Sequence, residues 1–156
     1  MDTGTILLMR HAEKPAGAAD IHLSPTGAER AAELAGYIPK TFGRPDFLFA
    51  AANSKHSDRP LETIEPLAKA TGRSIDSSHP DDDYAALAGQ LLSKPQFEGK
   101  LTVVAWHHEK IPHFAKALGA SEGDVPHPWD PDVFNLILQF SFKAGRLTVQ
   151  QVEEPF

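Results

Sequence analysis

Three short apolar runs, each stopping abruptly at basic residues, limit what this chain can fold into more than any other feature. Ile6-Leu7-Leu8-Met9 ends at Arg10-His11, the run 47–52 ends in a polar cluster that closes at Arg59, and Leu101-Thr102-Val103-Val104-Ala105-Trp106 ends at His107-His108-Glu109. Runs this short and unbroken predict strands covered on both faces, as in a parallel sheet, rather than alternating half-exposed strands. The stretches between them read as helices, so strands and helices alternate. That order predicts a three-layer α/β/α sandwich with a mostly parallel central sheet. Two later segments, 133–142 and 147–152, alternate in polarity around Ala144-Gly145 and predict an antiparallel pair at one edge.

Local signals place the helices. Ser24 is a good N-cap with Pro25 in the first turn, and strong helix formers from Ala28 to Leu34 carry a predicted helix to about Tyr37, with Pro39 near its end. Residues 59–70 read as a second helix, with Pro60 tolerated in its first turn and Pro66 predicting a kink or break. A weak strand at 73–76 is followed by a polar loop, 77–83, that caps a helix over 84–92. A further helix carries Phe114 and Leu118.

Composition bounds the function classes. The 156 residues fit one domain spanning 1–156. There is no cysteine, which excludes disulfides, thiolate metal sites and a cysteine nucleophile. No segment approaches the ~18 apolar residues of a membrane span, and Met1-Asp2-Thr3-Gly4 lacks the features of a signal peptide; a cytoplasmic protein is the expectation. A formal charge of -6 and a pI near 5.7 argue against nucleic acid or an anionic membrane as partner. An anionic ligand must therefore meet a locally positive pocket.

Such a pocket is available. The carboxyl ends of strands in one parallel sheet converge on a single crevice, which would gather Arg10, His11, Arg59 and the pair His107 and His108. Two guanidiniums and one or two imidazoles around a point suit a tetrahedral oxyanion, because arginine presents a planar fork of donors matched to phosphate oxygens. Phosphate is the inferred ligand.

These residues resemble the histidine phosphatase superfamily, also called phosphoglycerate mutase-like. The resemblance lies in Arg10-His11-Ala12-Glu13 after the first strand, in Leu23-Ser24-Pro25-Thr26-Gly27-Ala28-Glu29-Arg30-Ala31 at a helix start, in Arg59-Pro60-Leu61-Glu62-Thr63, and in Val103-Val104-Ala105-Trp106-His107-His108. A Trp-x-His-x-x-Ile-Pro pattern, met by Trp106, His108, Ile111 and Pro112, assigns the second pocket histidine to His108, with His107 the alternative. The resemblance implies that His11 is a nucleophile forming a phosphohistidine. It implies that Arg10, Arg59 and His108 hold the non-bridging oxygens, with Lys14 as a further phosphate-binding candidate and no metal or other cofactor. The proton donor is expected to be Glu109, with Asp81, Asp82 or Asp83 as alternatives.

The implied activity is hydrolysis of a phosphorylated small molecule or phosphoprotein. The short chain leaves little room for the insertions that would shield a mutase intermediate from water. Other readings are a mutase, a phosphate-binding module without turnover, and a metal site built from His79, His107, His108, His113 and His127, although adjacent histidines cannot easily point at one ion.

Overall fold

The computed structural model of the chain describes residues 1–17 and 19–156. Six strands form one sheet: β1 (Gly4–Arg10), β2 (Phe47–Ala50), β3 (Ile75–Asp76), β4 (Leu101–Trp106), β5 (Leu136–Lys143) and β6 (Arg146–Glu153), in the order β3-β2-β4-β1-β5-β6. The pairs β2 with β3, β2 with β4 and β1 with β4 are parallel. Strand β5 runs antiparallel to both β1 and β6, closing one edge as a hairpin through Ala144 and Gly145. The α/β architecture with an antiparallel edge is the one the apolar runs predict.

Four helices cover the sheet: α1 (Pro25–Phe42), α2 (Arg59–Thr71), α3 (Tyr84–Ser93) and α4 (Ile111–Ala117). Alternate residues of the central strands feed two cores. Leu7, Met9, Val103 and Ala105 pack with Leu34 and Ile38 of α1 and Ile64 and Leu67 of α2. Ile6, Leu8, Val104 and Trp106 pack with Leu87 and Leu91 of α3 and Phe114 of α4. Each fully buried aliphatic side chain contributes about 1.5–3 kcal/mol relative to exposure, so the two-sided burial of β1 and β4 makes them the rigid centre of the molecule. Among the described residues no helix is long and apolar enough to cross a membrane.

The end of α1 needs correction, and of the kink or break expected at Pro66 the break does not occur. Helix α1 does not stop near Tyr37 but continues through Pro39 to Phe42, and α2 is not broken at Pro66. A proline removes one N–H from the helical ladder. At Pro39 the loss falls in the last turn, where the Gly43 amide closes onto the Pro39 carbonyl at 3.1 Å. At Pro66 the loss is offset by Ile64 and Leu67, both fully buried on either side.

Strands β1 and β4 are neighbours, yet the chain leaves β1 toward α1 on one face and leaves β4 toward α4 on the other. This is the switch point of the sheet, where open α/β folds form a ligand crevice at the carboxyl ends of the strands. The His11 segment and His107 emerge there.

Candidate active site

His11 directly follows β1, and its amide donates to the Trp106 carbonyl of β4 at 3.0 Å. The imidazole is 2 % exposed, and its Nδ1 lies 2.7 Å from the carbonyl oxygen of Ala12. A carbonyl can only accept, so the ring proton sits on Nδ1 and Nε2 carries a free lone pair. Burial, helped by the charges of Arg10, His107 and Arg59 and opposed by the Ala12 carbonyl, pushes the imidazole down to about 3. At neutral pH the ring is uncharged and nucleophilic at Nε2.

The residues after His11 are tied to two helices. The Ala12 amide donates to Thr63 Oγ1 at 2.9 Å, and that hydroxyl donates to the Arg59 carbonyl at 2.7 Å within the first turns of α2. The Glu13 carbonyl accepts from the Ser24 amide at 2.9 Å, while Ser24 Oγ accepts from the Gly27 amide as the N-cap of α1. A side chain at Gly27 would place its Cβ 2.3 Å from the Glu13 carbonyl oxygen. Glycine there lets α1 start against the segment that follows His11.

Two guanidiniums face the same crevice. Arg10, 2 % exposed, donates through Nη1 to the carbonyls of Pro131 and Val133 and lies with its Cζ 3.9 Å from the Phe134 ring centroid. Arg59, at the first position of α2, donates through Nη1 to the Asp20 carbonyl at 2.8 Å. In both residues Nε is buried and has no hydrogen-bond partner among the described residues. Burial and the repulsion of Arg59 bring Arg10 down to about 10, and burial also lowers Arg59. Buried donors are almost always paired, so two orphaned Nε–H groups beside a neutral imidazole call for an anionic acceptor.

The histidine ring that meets His11 belongs to His107, the alternative to His108. The His11 and His107 centroids are 5.3 Å apart with the rings nearly edge-on. The cause is register: Leu7 pairs with Val103, Met9 with Ala105 and Arg10 with Trp106, so His11 and His107 come next on neighbouring strands. Burial, then Arg59, lowers His107 to about 4. His108 is partly exposed, and it is lowered by burial and by the positive charges of Arg10 and Lys14. Counting parity from the buried Val103 and Ala105 would have pointed to His107.

The carboxylates separate into distinct environments. Glu109 is exposed, Asp82 pairs with Lys110 at 3.1 Å, and Asp83 stands exposed before α3. Asp81 is half-buried, its Oδ1 has no hydrogen-bond partner, and its carbonyl accepts from Trp106 Nε1 at 3.0 Å. That bond holds the Asp81 loop over the end of β4. Burial, aided by Asp82 and Glu109 and opposed by Lys110, raises the Asp81 carboxyl to about 6. Lys14 is exposed on the segment after His11.

The remaining histidines lie elsewhere. His79 sits 3.3 Å from the Gln90 side chain, and His113 and His127 meet each other at a 5.7 Å centroid distance beside a cavity of about 480 Å³. A larger cavity of about 650 Å³ lies between α1 and α2, away from the Arg10 and His11 cluster. Among the described residues no group of three or more His, Cys, Asp or Glu could hold a metal ion. Sequence reasoning missed Phe134 and the 131–133 carbonyls, which carry no periodic pattern and reach Arg10 only through tertiary closure.

No protein-family model and no curated protein matches the chain. Solved structures do match along nearly its whole length, and they define its fold as the phosphoglycerate mutase-like fold shared by histidine phosphatases. One is the protein histidine phosphatase SixA complexed with tungstate, 15% identical, with 96% of each chain covered and a TM-score of 0.65. Another is a phosphoserine phosphatase variant from Entamoeba histolytica in complex with phosphoserine, 18% identical, with 94% of this chain and 95% of that chain covered and a TM-score of 0.64. A phosphoglycerate mutase from Plasmodium falciparum is 14% identical, with 97% and 91% covered and a TM-score of 0.65.

Proposed function

We propose that this single-domain chain is a histidine phosphatase that hydrolyses a phosphorylated small molecule or phosphoprotein through a phosphohistidine on His11. The observation that carries this reading is the meeting of two buried, unpartnered arginine Nε–H donors with an imidazole whose Nδ1 is tied down and whose Nε2 is free. In this reading Nε2 attacks phosphorus in line, the P–O bond to the leaving group breaks, and the phosphoryl group rests on Nε2. Arg10, Arg59 and His107 donate to the non-bridging oxygens and stabilise their growing charge. His108 and Lys14 stand at the rim, where they meet the rest of the substrate.

The leaving oxygen takes its proton from Asp81 in preference to Glu109. Asp81 is half-buried and held to about 6, so a useful fraction carries a proton near neutrality, whereas Glu109 is exposed to solvent. In the second half-reaction ionised Asp81 accepts a proton from water as the water's oxygen attacks phosphorus and the P–N bond to His11 breaks. Phosphate and free His11 result.

The test is turnover of p-nitrophenyl phosphate and of an alkyl phosphate with chelator present. His11→Ala is expected to abolish both, with a loss on the order of 10⁴-fold or more, while tungstate still binds. Asp81→Asn is expected to lower alkyl phosphate turnover about 10²-fold and to spare the better nitrophenolate leaving group. Because the acid form is the active one, kcat/KM for the alkyl substrate should fall as pH rises through about 6, and that limb should vanish in Asp81→Asn. Full activity in His11→Ala would overturn the mechanism, and an equal loss in Glu109→Gln would return the donor role to Glu109.

A further inference from the structure

Outside the anion crevice, one buried charged cluster is bonded to it at both ends. Arg30, on the α1 face turned toward β1, donates through Nε to both carboxylate oxygens of Glu13 at 2.9 and 3.1 Å. Its Nη1 donates to Glu154 Oε1 at 2.9 Å and to the Phe156 carbonyl at 2.8 Å. The Glu154 side chain is 1 % exposed, and its amide donates to the Asn135 carbonyl at 2.7 Å.

These bonds close a ring. From His11 the chain runs through Ala12 to Glu13, across to Arg30, on to Glu154, and back through Asn135 to Phe134. The Phe134 ring lies under Arg10 and 6.2 Å from the His11 ring centroid. One guanidinium thus ties the segment bearing the nucleophile to the segment that cradles Arg10. The pairing of Met9 with Ile137 and the bonds of Arg10 to the Pro131 and Val133 carbonyls already hold the two segments side by side, and Arg30 adds a clamp on the far side of the nucleophile, at Glu13.

We propose that Arg30, gripped between Glu13 and Glu154, is a positioning residue that sets His11 Nε2 against the phosphate-binding face of Arg10. It touches neither substrate nor reacting atoms. Its effect is geometric, and a misplacement of about 1 Å at a reacting centre can cost 10²-fold in rate. The groups facing Glu154 are Arg30 and Glu13, so two carboxylates share one cation in a buried place. Burial and the Glu13 charge, opposed by Arg30, raise Glu154 to about 7. The cluster therefore changes charge near neutral pH without losing its hydrogen bonds, since a protonated Glu154 still has a carbonyl oxygen for Arg30.

The inference rests on the proposed phosphatase reading for its kinetic arm and on nitrogen NMR of the imidazole for an arm independent of it. In wild type the His11 ring should show a single tautomer with the proton on Nδ1. Arg30→Gln is expected to mix the tautomers and to lower kcat for p-nitrophenyl phosphate about 10²-fold, with KM within about threefold because Arg10 and Arg59 still bind the anion. Arg30→Lys, which keeps the charge but not the fork, should restore part of kcat. Glu154→Gln keeps an acceptor for Nη1 and is the variant to read if Arg30→Gln does not fold; it should shift the His11 signals and flatten the part of the kcat profile near pH 7. Folded Arg30→Gln, or Glu154→Gln in its place, with unchanged His11 signals and unchanged kcat would overturn the proposal. If wild type shows no turnover at all, the phosphatase reading fails, and the His11 signals alone decide the positioning role.

Discussion

Two clusters of wholly or partly buried arginine in this molecule bond their Nη1 groups to their own chain and differ at Nε. Arg30 directs its Nε to the Glu13 carboxylate, whereas Arg10 and Arg59 each keep a buried Nε with no acceptor among the described residues. Burial is thus not what marks a ligand site. An unpaired buried donor costs about 1–3 kcal/mol, and a fold retains such a cost where an incoming group removes it. In the proposed reading the Arg30 cluster shapes the site and the Arg10 and Arg59 cluster receives the ligand.

The sharpest way to break this contrast is Arg59→Ala. If the orphaned donors serve an anion, kcat/KM should fall roughly 10²–10³-fold and tungstate affinity should weaken in calorimetry, with the melting temperature nearly unchanged. A loss of stability with anion affinity intact would place Arg59 with Arg30 as a structural residue. The next effect separates the adjacent histidines. His107→Ala is expected to lower turnover about 10²-fold, and His108→Ala less than tenfold, measured on p-nitrophenyl phosphate; the reverse order would restore the assignment suggested by the Trp-x-His pattern.

The smallest effect is in stability against pH, where the clusters should slope in opposite directions. His11 and His107 are depressed from 6.5 to about 3 and 4, so an unfolded chain binds protons that the fold refuses. Their contribution is complete above about 6.5 and is lost as pH falls toward the folded values. Glu154 is raised from 4.5 to about 7, so the fold holds a proton that the unfolded chain releases. Its contribution is complete below 4.5 and is lost as pH rises through about 7. Melting temperatures across pH 4 to 8 should therefore show His107→Asn gaining on wild type toward acid and Glu154→Gln gaining on it toward alkali. Parallel profiles in all three proteins would show that neither group titrates as assigned.

Much of the fold was legible because the physics that shapes it is local. A run such as Leu101 to Trp106 is buried on both faces and carries its strand identity in four or five consecutive side chains. Arg10, His11 and Arg59 were legible for a related reason: charge at the carboxyl end of a buried strand, or at a helix start, has few other uses. What could not be read locally was register. Parity with the buried Val103 and Ala105 points to His107, but that its ring meets His11 depends on how β4 pairs with β1, a relation between residues about a hundred positions apart. The same distance hides Arg30 and Glu154, which are ordinary helix and tail residues until the sheet closes. Asp81 is a middle case, since its loop was recognisable but its burial against Trp106 was not. The α1 end fell later than expected and no break occurs at Pro66, where the packing of Ile64 and Leu67 offsets the single-residue penalty.

The Thr63 hydroxyl carries a consequence for how the site opens. It accepts from the Ala12 amide and donates to the Arg59 carbonyl, so the backbone after His11 and the first turn of the helix bearing Arg59 share one oxygen atom. Solvent deuterium cannot exchange the Ala12 amide until that bond opens, and when it does the two walls of the crevice, the segment after His11 and the start of α2, part from each other. The exchange rate of that one amide therefore counts the openings of the crevice, and valine at the position, identical in outline, would leave the two walls to fluctuate separately.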